Sequence, residues 1–259
     1  ENRLLFRETL SSSEGIKNFI GGIILYDETI NQTSSSKKTI PELISETGAV
    51  PGIKVDTGAK VLAGSTEEKI TEGLDGLRER LKKYYELGAR FTKWRGVFNI
   101  SKKYPSQLSI HSNAHALARY SSLVQECGMV PIVEPEVLMD GNHLAEACLD
   151  KTSAVIKKCF EELLLHRVDL SGIILKPNMI LAGNSSDKKI SNEEIAKLTL
   201  KCLKENVPAN VPGIAFLSGG QTEVEATENL NLINKYNDTN FIMTYSFGRA
   251  LQQSALKFW

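Results

Sequence analysis

The sequence has no apolar run long enough to cross a bilayer, no charged-then-apolar leader, and no net charge, with 31 basic side chains against 31 acidic ones over 259 residues. These absences argue against a membrane-spanning helix, a secretory signal and a dedicated nucleic-acid binder, although a local basic pocket remains compatible with them. The four cysteines, Cys127, Cys148, Cys159 and Cys202, show no CxxC spacing and no pairing with histidine in a zinc pattern. A disulfide framework is therefore not expected, and reduced structural thiols are. No low-complexity linker or shift of composition divides the chain, so residues 1–259 read as one soluble, cytoplasmic domain able to bury a core without staples.

What the sequence does contain is alternation. Seven short apolar runs, at 19–26, 50–55, 89–96, 129–135, 171–177, 213–218 and 241–246, are separated by helical periodicity, as in HALARYSSLVQECG, TSAVIKKCFEELLLHR and NEEIAKLTLKCLKEN. TEGLDGLRERLKKYYELG, residues 71–88, and EVEATENLNLINKY read as helices in the same way. This is the pattern of repeated βα units and a parallel sheet. An open doubly wound sheet would advertise a ligand site at one switch point, whereas here polar residues finish several strands in succession. A closed (β/α)8 TIM barrel explains that better, because its active site gathers side chains from the carboxyl ends of many strands. Only seven of the eight strands are evident, and the chain opens on ENRLLFRETL, an amphipathic helical segment.

Strand parity then sorts the polar residues, since side chains two apart share a face. Gly172, Ile174 and Lys176 fall together, as do Ile132, Glu134 and Glu136, Lys54 and Asp56, Phe91, Lys93 and Arg95, and Thr244 and Ser246. Pointed inward, these faces fill the barrel mouth with opposite charges. An amine becomes a nucleophile when desolvation and neighbouring cations disfavour its protonated form, and Lys176 ends an apolar strand with Lys93 and Lys54 near it. Attack on a ketone would give an iminium ion, with Glu134 and Glu136 available for proton transfer. A single lysine at a strand end is more often a snorkelling or paired side chain. Convergence from four strands is what favours catalysis.

A phosphate site is expected on the last two units. In FLSGGQTEVEA, Ser218, Gly219 and Gly220 lie between an apolar strand and a helix, where backbone amides can face an anion. YSFGRAL repeats the theme with Ser246, Gly248 and Arg249, the last a fixed cation suited to phosphate.

The stretches GGIILYDET, GIKVDTG, KWR, VPIVEPE, LKPNM, PGIAFLSGGQ and SFGRAL, in that order, resemble the class I fructose-1,6-bisphosphate aldolases across nearly the whole chain. The resemblance implies a glycolytic or gluconeogenic lyase that reversibly cleaves fructose 1,6-bisphosphate to dihydroxyacetone phosphate and glyceraldehyde 3-phosphate, with no metal and no cofactor. It also implies a homotetramer in the cytoplasm, a phosphorylated sugar as ligand, contacts with the cytoskeleton, and neither nucleic acid nor membrane as partner. Residue by residue, it makes Lys176 the Schiff-base lysine and Glu134 the main proton carrier, with Glu136 adjusting local charge. Lys93 would stabilise developing charge, Arg95 would organise the carboxylates, and Asp56 would partner the lysines. Ser218, Gly219, Ser246, Gly248 and Arg249 would hold one phosphate and Lys54 would lie towards the other.

Two departures accompany the match. Nothing corresponds to the family's first strand, with its GILAADES-like end and an acidic residue that takes part in carbon–carbon cleavage, and the sequence stops at Leu256, Lys257, Phe258 and Trp259 without the family's C-terminal tail. The expectation is a barrel lacking that strand and tail, with reduced stability and activity. Two other readings share the residues: an inactive phosphosugar-binding or scaffolding protein on the same fold, and a transaldolase-like Schiff-base enzyme.

Overall fold

The computed structural model describes residues 2–13 and 15–258. Glu1 and Trp259, the ends of the expected first and last helical segments, lie outside the described residues, as does Glu14. Nine strands and nine α-helices are found among the described residues. The chain begins with α1 (Asn2–Ser12), then β1 (Gly22–Leu25), α2 (Asp27–Ile30), α3 (Ile40–Glu46) and β2 (Val50–Lys54). A hairpin follows, β3 (Gly58–Val61) and β4 (Lys69–Glu72), and then α4 (Leu77–Glu86) and β5 (Phe91–Phe98). The remainder alternates: α5 (Gln107–Glu126), β6 (Val130–Val137), α6 (Ala145–Leu165), β7 (Ile174–Leu175), α7 (Asn192–Asn206), β8 (Gly213–Phe216), α8 (Glu223–Tyr236), β9 (Ile242–Tyr245) and α9 (Arg249–Phe258).

Seven strands pair in parallel in the order β1-β2-β5-β6-β7-β8-β9. Chain order equals spatial order, so the sheet curls one way with helices on its outside, as in a (β/α) barrel. At its two edges, the Tyr245 hydroxyl at the end of β9 donates to the Phe19 carbonyl just before β1 at 2.6 Å. Outward-facing Ile53, Trp94, Val133, Leu175, Ile214 and Met243 meet helix residues such as Leu117, Tyr120, Ile156, Leu203 and Ile233 in one buried apolar cluster. On the opposite face of β9, Ile242 and Thr244 are exposed.

Local sequence explains much of this. Thr39 with Glu42, Ser191 with Glu194, and Thr222 with Glu225 form capping boxes that start α3, α7 and α8, satisfying backbone donors that a helix leaves free. Low in the barrel interior the ring of Phe91 fills the space left by two glycines. A Cβ at Gly52 would lie 2.3 Å from that ring and one at Gly22 would lie 2.9 Å from it.

Three expectations need correction. Residues 71–76 do not begin a helix: Thr71 and Glu72 close the β3–β4 hairpin, and Gly73 (φ 126°) and Gly76 (φ 64°) turn the chain before α4. Asn113 of α5 anchors the hairpin, accepting from the Thr71 amide at 3.2 Å and donating to the Lys69 carbonyl at 2.8 Å. Gly172 belongs to a short 3₁₀ turn (Leu170–Gly172), not to the strand, because Asp169 caps that turn through the Ser171 amide. Helix α5 also starts well before His115, at a Ser106 cap that the polar run QLSIHSN concealed.

Candidate active site

Register places the charged residues level with one another. Lys54 pairs with Lys93, and Arg95 pairs with Glu134 on adjacent strands. Lys176 follows the last residue of β7, yet its amide still donates to the Val133 carbonyl at 2.7 Å, so it continues the parallel ladder. Its side chain therefore enters the barrel beside Glu134, as parity requires.

Glu134 sits between two lysines. Its Oε1 lies 3.1 Å from Lys176 Nζ and its Oε2 lies 3.0 Å from Lys93 Nζ. All three residues are buried. The contact with Lys93 is an ion pair without hydrogen-bond alignment, which leaves Oε2 as a buried acceptor with no hydrogen-bond partner among the described residues. Asp56 extends the network: its Oδ1 is 2.6 Å from Lys54 Nζ and its Oδ2 is 3.7 Å from Lys93 Nζ. The backbone amides of Gly58 and Arg95 donate to the same carboxylate at 3.2 and 3.3 Å. Arg95 and Glu136 form a separate, tightly bonded pair.

The electrostatics follow from this packing. Burial pushes the Lys176 ammonium below its ordinary value, against the pull of Glu134, and the charge of Lys93 pushes it further down. Burial also opposes the charge of Arg95, but the bond and charge of Glu136 outweigh it and hold the guanidinium above its ordinary value. Lys176 can thus shed its proton more readily than an ordinary lysine, beside a carboxylate placed to receive or return one.

The residues expected at the phosphate sit at the ends of β8 and β9. Phe216 pairs with Tyr245, and the Ser246 amide donates to the Phe216 carbonyl at 2.8 Å, so Ser218 and Ser246 both follow the last paired residues. Lys176 follows the Leu175–Ile214 pair and is level with Ala215, which sets Ser218 about 10 Å further along the strand direction. Gly219 and Gly220 adopt positive φ, 57° and 80°, and a Cβ on Gly220 would lie 3.0 Å from Met139 Sδ. Gln221 holds the turn, its side chain donating to the Ser218 carbonyl at 2.8 Å. Gly248 directly precedes α9, with exposed Arg249 as its first residue. Lys54 does not extend freely: it is bound to both the side chain and the carbonyl of Asp56, with the Tyr26 ring 5.7 Å away.

Sequence reading passed over Asn178, two residues beyond Lys176. Its buried Oδ1 accepts from the Val137 amide at 3.0 Å, and its Nδ2 donates to Thr152 Oγ1 at 3.2 Å and to the Met179 carbonyl at 3.1 Å. This clamps the end of β6 and helix α6 to the segment carrying Lys176. Its place in LKPNM was visible, but its partners are distant in sequence.

Fold and site together define a (β/α)-barrel enzyme with a desolvated lysine at the carboxyl end of its strands. Comparison with known proteins is more specific. The family description "Fructose-bisphosphate aldolase class-I" matches residues 1–259. A "Probable fructose-bisphosphate aldolase class 1" from Xylella fastidiosa is 49% identical over all of this chain and 78% of its own length. "Fructose-bisphosphate aldolase 4, cytosolic" from Arabidopsis thaliana is 51% identical over all of this chain and 66% of its own length. In structure, the fructose-bisphosphate aldolase of Plasmodium falciparum, solved "in complex with TRAP and a small molecule inhibitor", matches with a TM-score of 0.98 and 45% identity, over 100% of this chain and 75% of that one. The chain belongs to the class I fructose-bisphosphate aldolase family. The function that goes with this membership is that of a fructose-bisphosphate aldolase, a lyase. Among the described residues, no helix is long and apolar enough to cross a membrane.

Proposed function

We propose that this aldolase works through a Schiff base on Lys176. The observation that carries the reading is the position of its amine, buried, depressed in basicity and 3.1 Å from Glu134. The neutral amine attacks the ketone carbon of fructose 1,6-bisphosphate to give a carbinolamine. Glu134 delivers a proton to the departing hydroxyl, water leaves, and an iminium ion remains. The iminium accepts the electron pair of the C3–C4 bond as it breaks, and the C4 hydroxyl proton passes to the Glu134 carboxylate left by the dehydration, releasing glyceraldehyde 3-phosphate. Protonation of the resulting enamine and hydrolysis then free dihydroxyacetone phosphate and the lysine.

Lys93, paired with Glu134 and near Asp56, steadies the charge that develops beside the reacting carbons. Glu136 and Arg95 neutralise one another at the same rim and fix the local field. Ser218, Gly219, Gly220, Ser246, Gly248 and Arg249 bind the phosphate next to the ketone, and the positive φ of the two adjacent glycines supports a backbone cradle there. Lys54 faces the second phosphate, exchanging its Asp56 contact for substrate. The chain is one barrel domain acting in glycolysis or gluconeogenesis, located in the cytoplasm and assembled as a homotetramer. The cytosolic relatives support the location.

A coupled cleavage assay tests the reading. Wild-type chain should cleave fructose 1,6-bisphosphate, and Lys176→Ala should lose turnover while still binding the phosphorylated sugar. Turnover that survives in Lys176→Ala overturns it. Light scattering tests the assembly: a mass four times that of one chain is expected, and a monomer contradicts it.

A further inference from the structure

Three of the chain's four histidines meet one buried carboxylate on the helical layer outside the sheet. His111 and His115 are one helical turn apart on α5, and Glu162 and His166 are one turn apart at the end of α6. Residues four apart share a helix face, so two facing helices each present a pair of potential ligands. The Glu162 side chain is only 3% exposed, with His115 Nδ1 3.2 Å from its Oε2 and His111 Nδ1 3.2 Å from its Oε1. His166 packs edge-on against His115, their rings 4.8 Å apart. One ligand atom from each of His115, Glu162 and His166 lies within 4.8 Å of the others, the one such group among the described residues.

From this geometry we infer that His115, Glu162 and His166 bind a divalent transition-metal ion of the zinc class, with His111 orienting the carboxylate and water completing the coordination. Two imidazoles and a carboxylate suit zinc, nickel or cobalt better than the hard ions magnesium or calcium, which favour oxygen. Ligand bonds of about 2.0 to 2.1 Å in a tetrahedron set neighbouring ligand atoms roughly 3.3 Å apart. The 3.2 Å between His115 and Glu162 already has that spacing. His166 Nδ1 lies 3.9 Å from Glu162 Oε2 while donating to the Glu162 main-chain carbonyl at 2.8 Å, so ligation requires the ring to exchange that bond for the ion.

The Glu162 carboxylate also faces a cation on its own helix. Lys158, 3.4 Å from its Oε1, is a partly exposed competitor on the oxygen facing away from His115. On binding, the ion replaces the proton that His115 Nδ1 shares with Glu162, and that proton passes to solvent. The His111 and His115 side chains are 58% and 44% exposed, so the ion reaches the carboxylate directly from solvent. The ion clamps α5 to α6, and the chemistry at Lys176 does not involve it.

Titration calorimetry of the chelator-dialysed full chain with zinc chloride, repeated with nickel, tests the site. One ion per chain is expected, with a rise in Tm on saturation. His115→Ala and His166→Ala, alone and together, should abolish the one-to-one isotherm and the Tm rise. His111→Ala should weaken binding about tenfold, the usual scale for an outer partner. Cleavage of fructose 1,6-bisphosphate should be unchanged in each variant, which also certifies its folding. Absence of saturable binding to wild type, or binding that persists undiminished in His115→Ala, overturns the inference.

Discussion

Lys176 Nζ and Glu134 Oε1 lie 3.1 Å apart, and the other oxygen of the same carboxylate faces Lys93 Nζ at 3.0 Å. One buried carboxylate thus holds two ammonium groups, one destined for covalent chemistry and the other for charge stabilisation. Glu134→Gln should lower kcat by roughly 10² to 10⁴, the usual contribution of a positioned proton carrier. Because Glu134 raises the Lys176 pKa, its loss should lower that pKa further. Slower borohydride trapping and a pH profile displaced to lower pH check both effects, whereas unchanged kcat contradicts the assignment.

The depressed basicity of Lys176 also makes a prediction about stability. Its folded pKa lies below the usual 10.5, so in the window between the two values the unfolded chain binds more protons. The penalty for burying this ammonium is therefore complete below the folded pKa and is relieved as pH rises towards 10.5. Lys176→Met should melt above wild type near neutral pH, and its advantage should shrink in alkaline buffer. Melting curves across that range decide it, and an advantage that grows with pH would contradict the assigned direction.

Parity arithmetic recovered Lys54, Asp56, Lys93, Arg95, Glu134, Glu136 and Lys176 because a parallel barrel forces alternate residues inward, a purely local rule. It gave no warning of the β3–β4 hairpin. GAKV and KITE are short and mostly exposed, and their pairing is secured by Asn113, more than forty residues from Thr71. The cluster around Glu162 escaped for a similar reason, since each i, i+4 pair looks like an ordinary helix face until the two helices are packed together. The helix caps that the sequence analysis did not single out are local in pattern: Ser191 and Thr222 stand three residues before their glutamates.

Gly52 shows a constraint of the barrel interior. An added Cβ would lie 2.3 Å from the Phe91 ring, so Gly52→Ala should destabilise the fold by about 1 to 3 kcal/mol, the range for overpacking. Urea unfolding measures the loss. Combining it with Phe91→Leu should recover part of the stability, and additive losses would contradict the steric cause.

Asn178 acts on position and not on chemistry. Asn178→Ala leaves the buried Val137 amide without its acceptor, a loss of about 1 to 3 kcal/mol, and loosens the segment that carries Lys176. Both kcat and Tm should fall, while the pH profile of trapping keeps its shape. A shifted profile would instead place Asn178 in direct contact with the reacting groups.

The most direct test of the account is the intact mass of the chain after incubation with dihydroxyacetone phosphate and borohydride, followed by peptide mapping. A single substrate-dependent adduct on Lys176, absent from Lys176→Ala, is the predicted result. An adduct on Lys93 or Lys54, or no adduct on folded protein, contradicts the central claim that the lysine ending β7 is the Schiff-base residue.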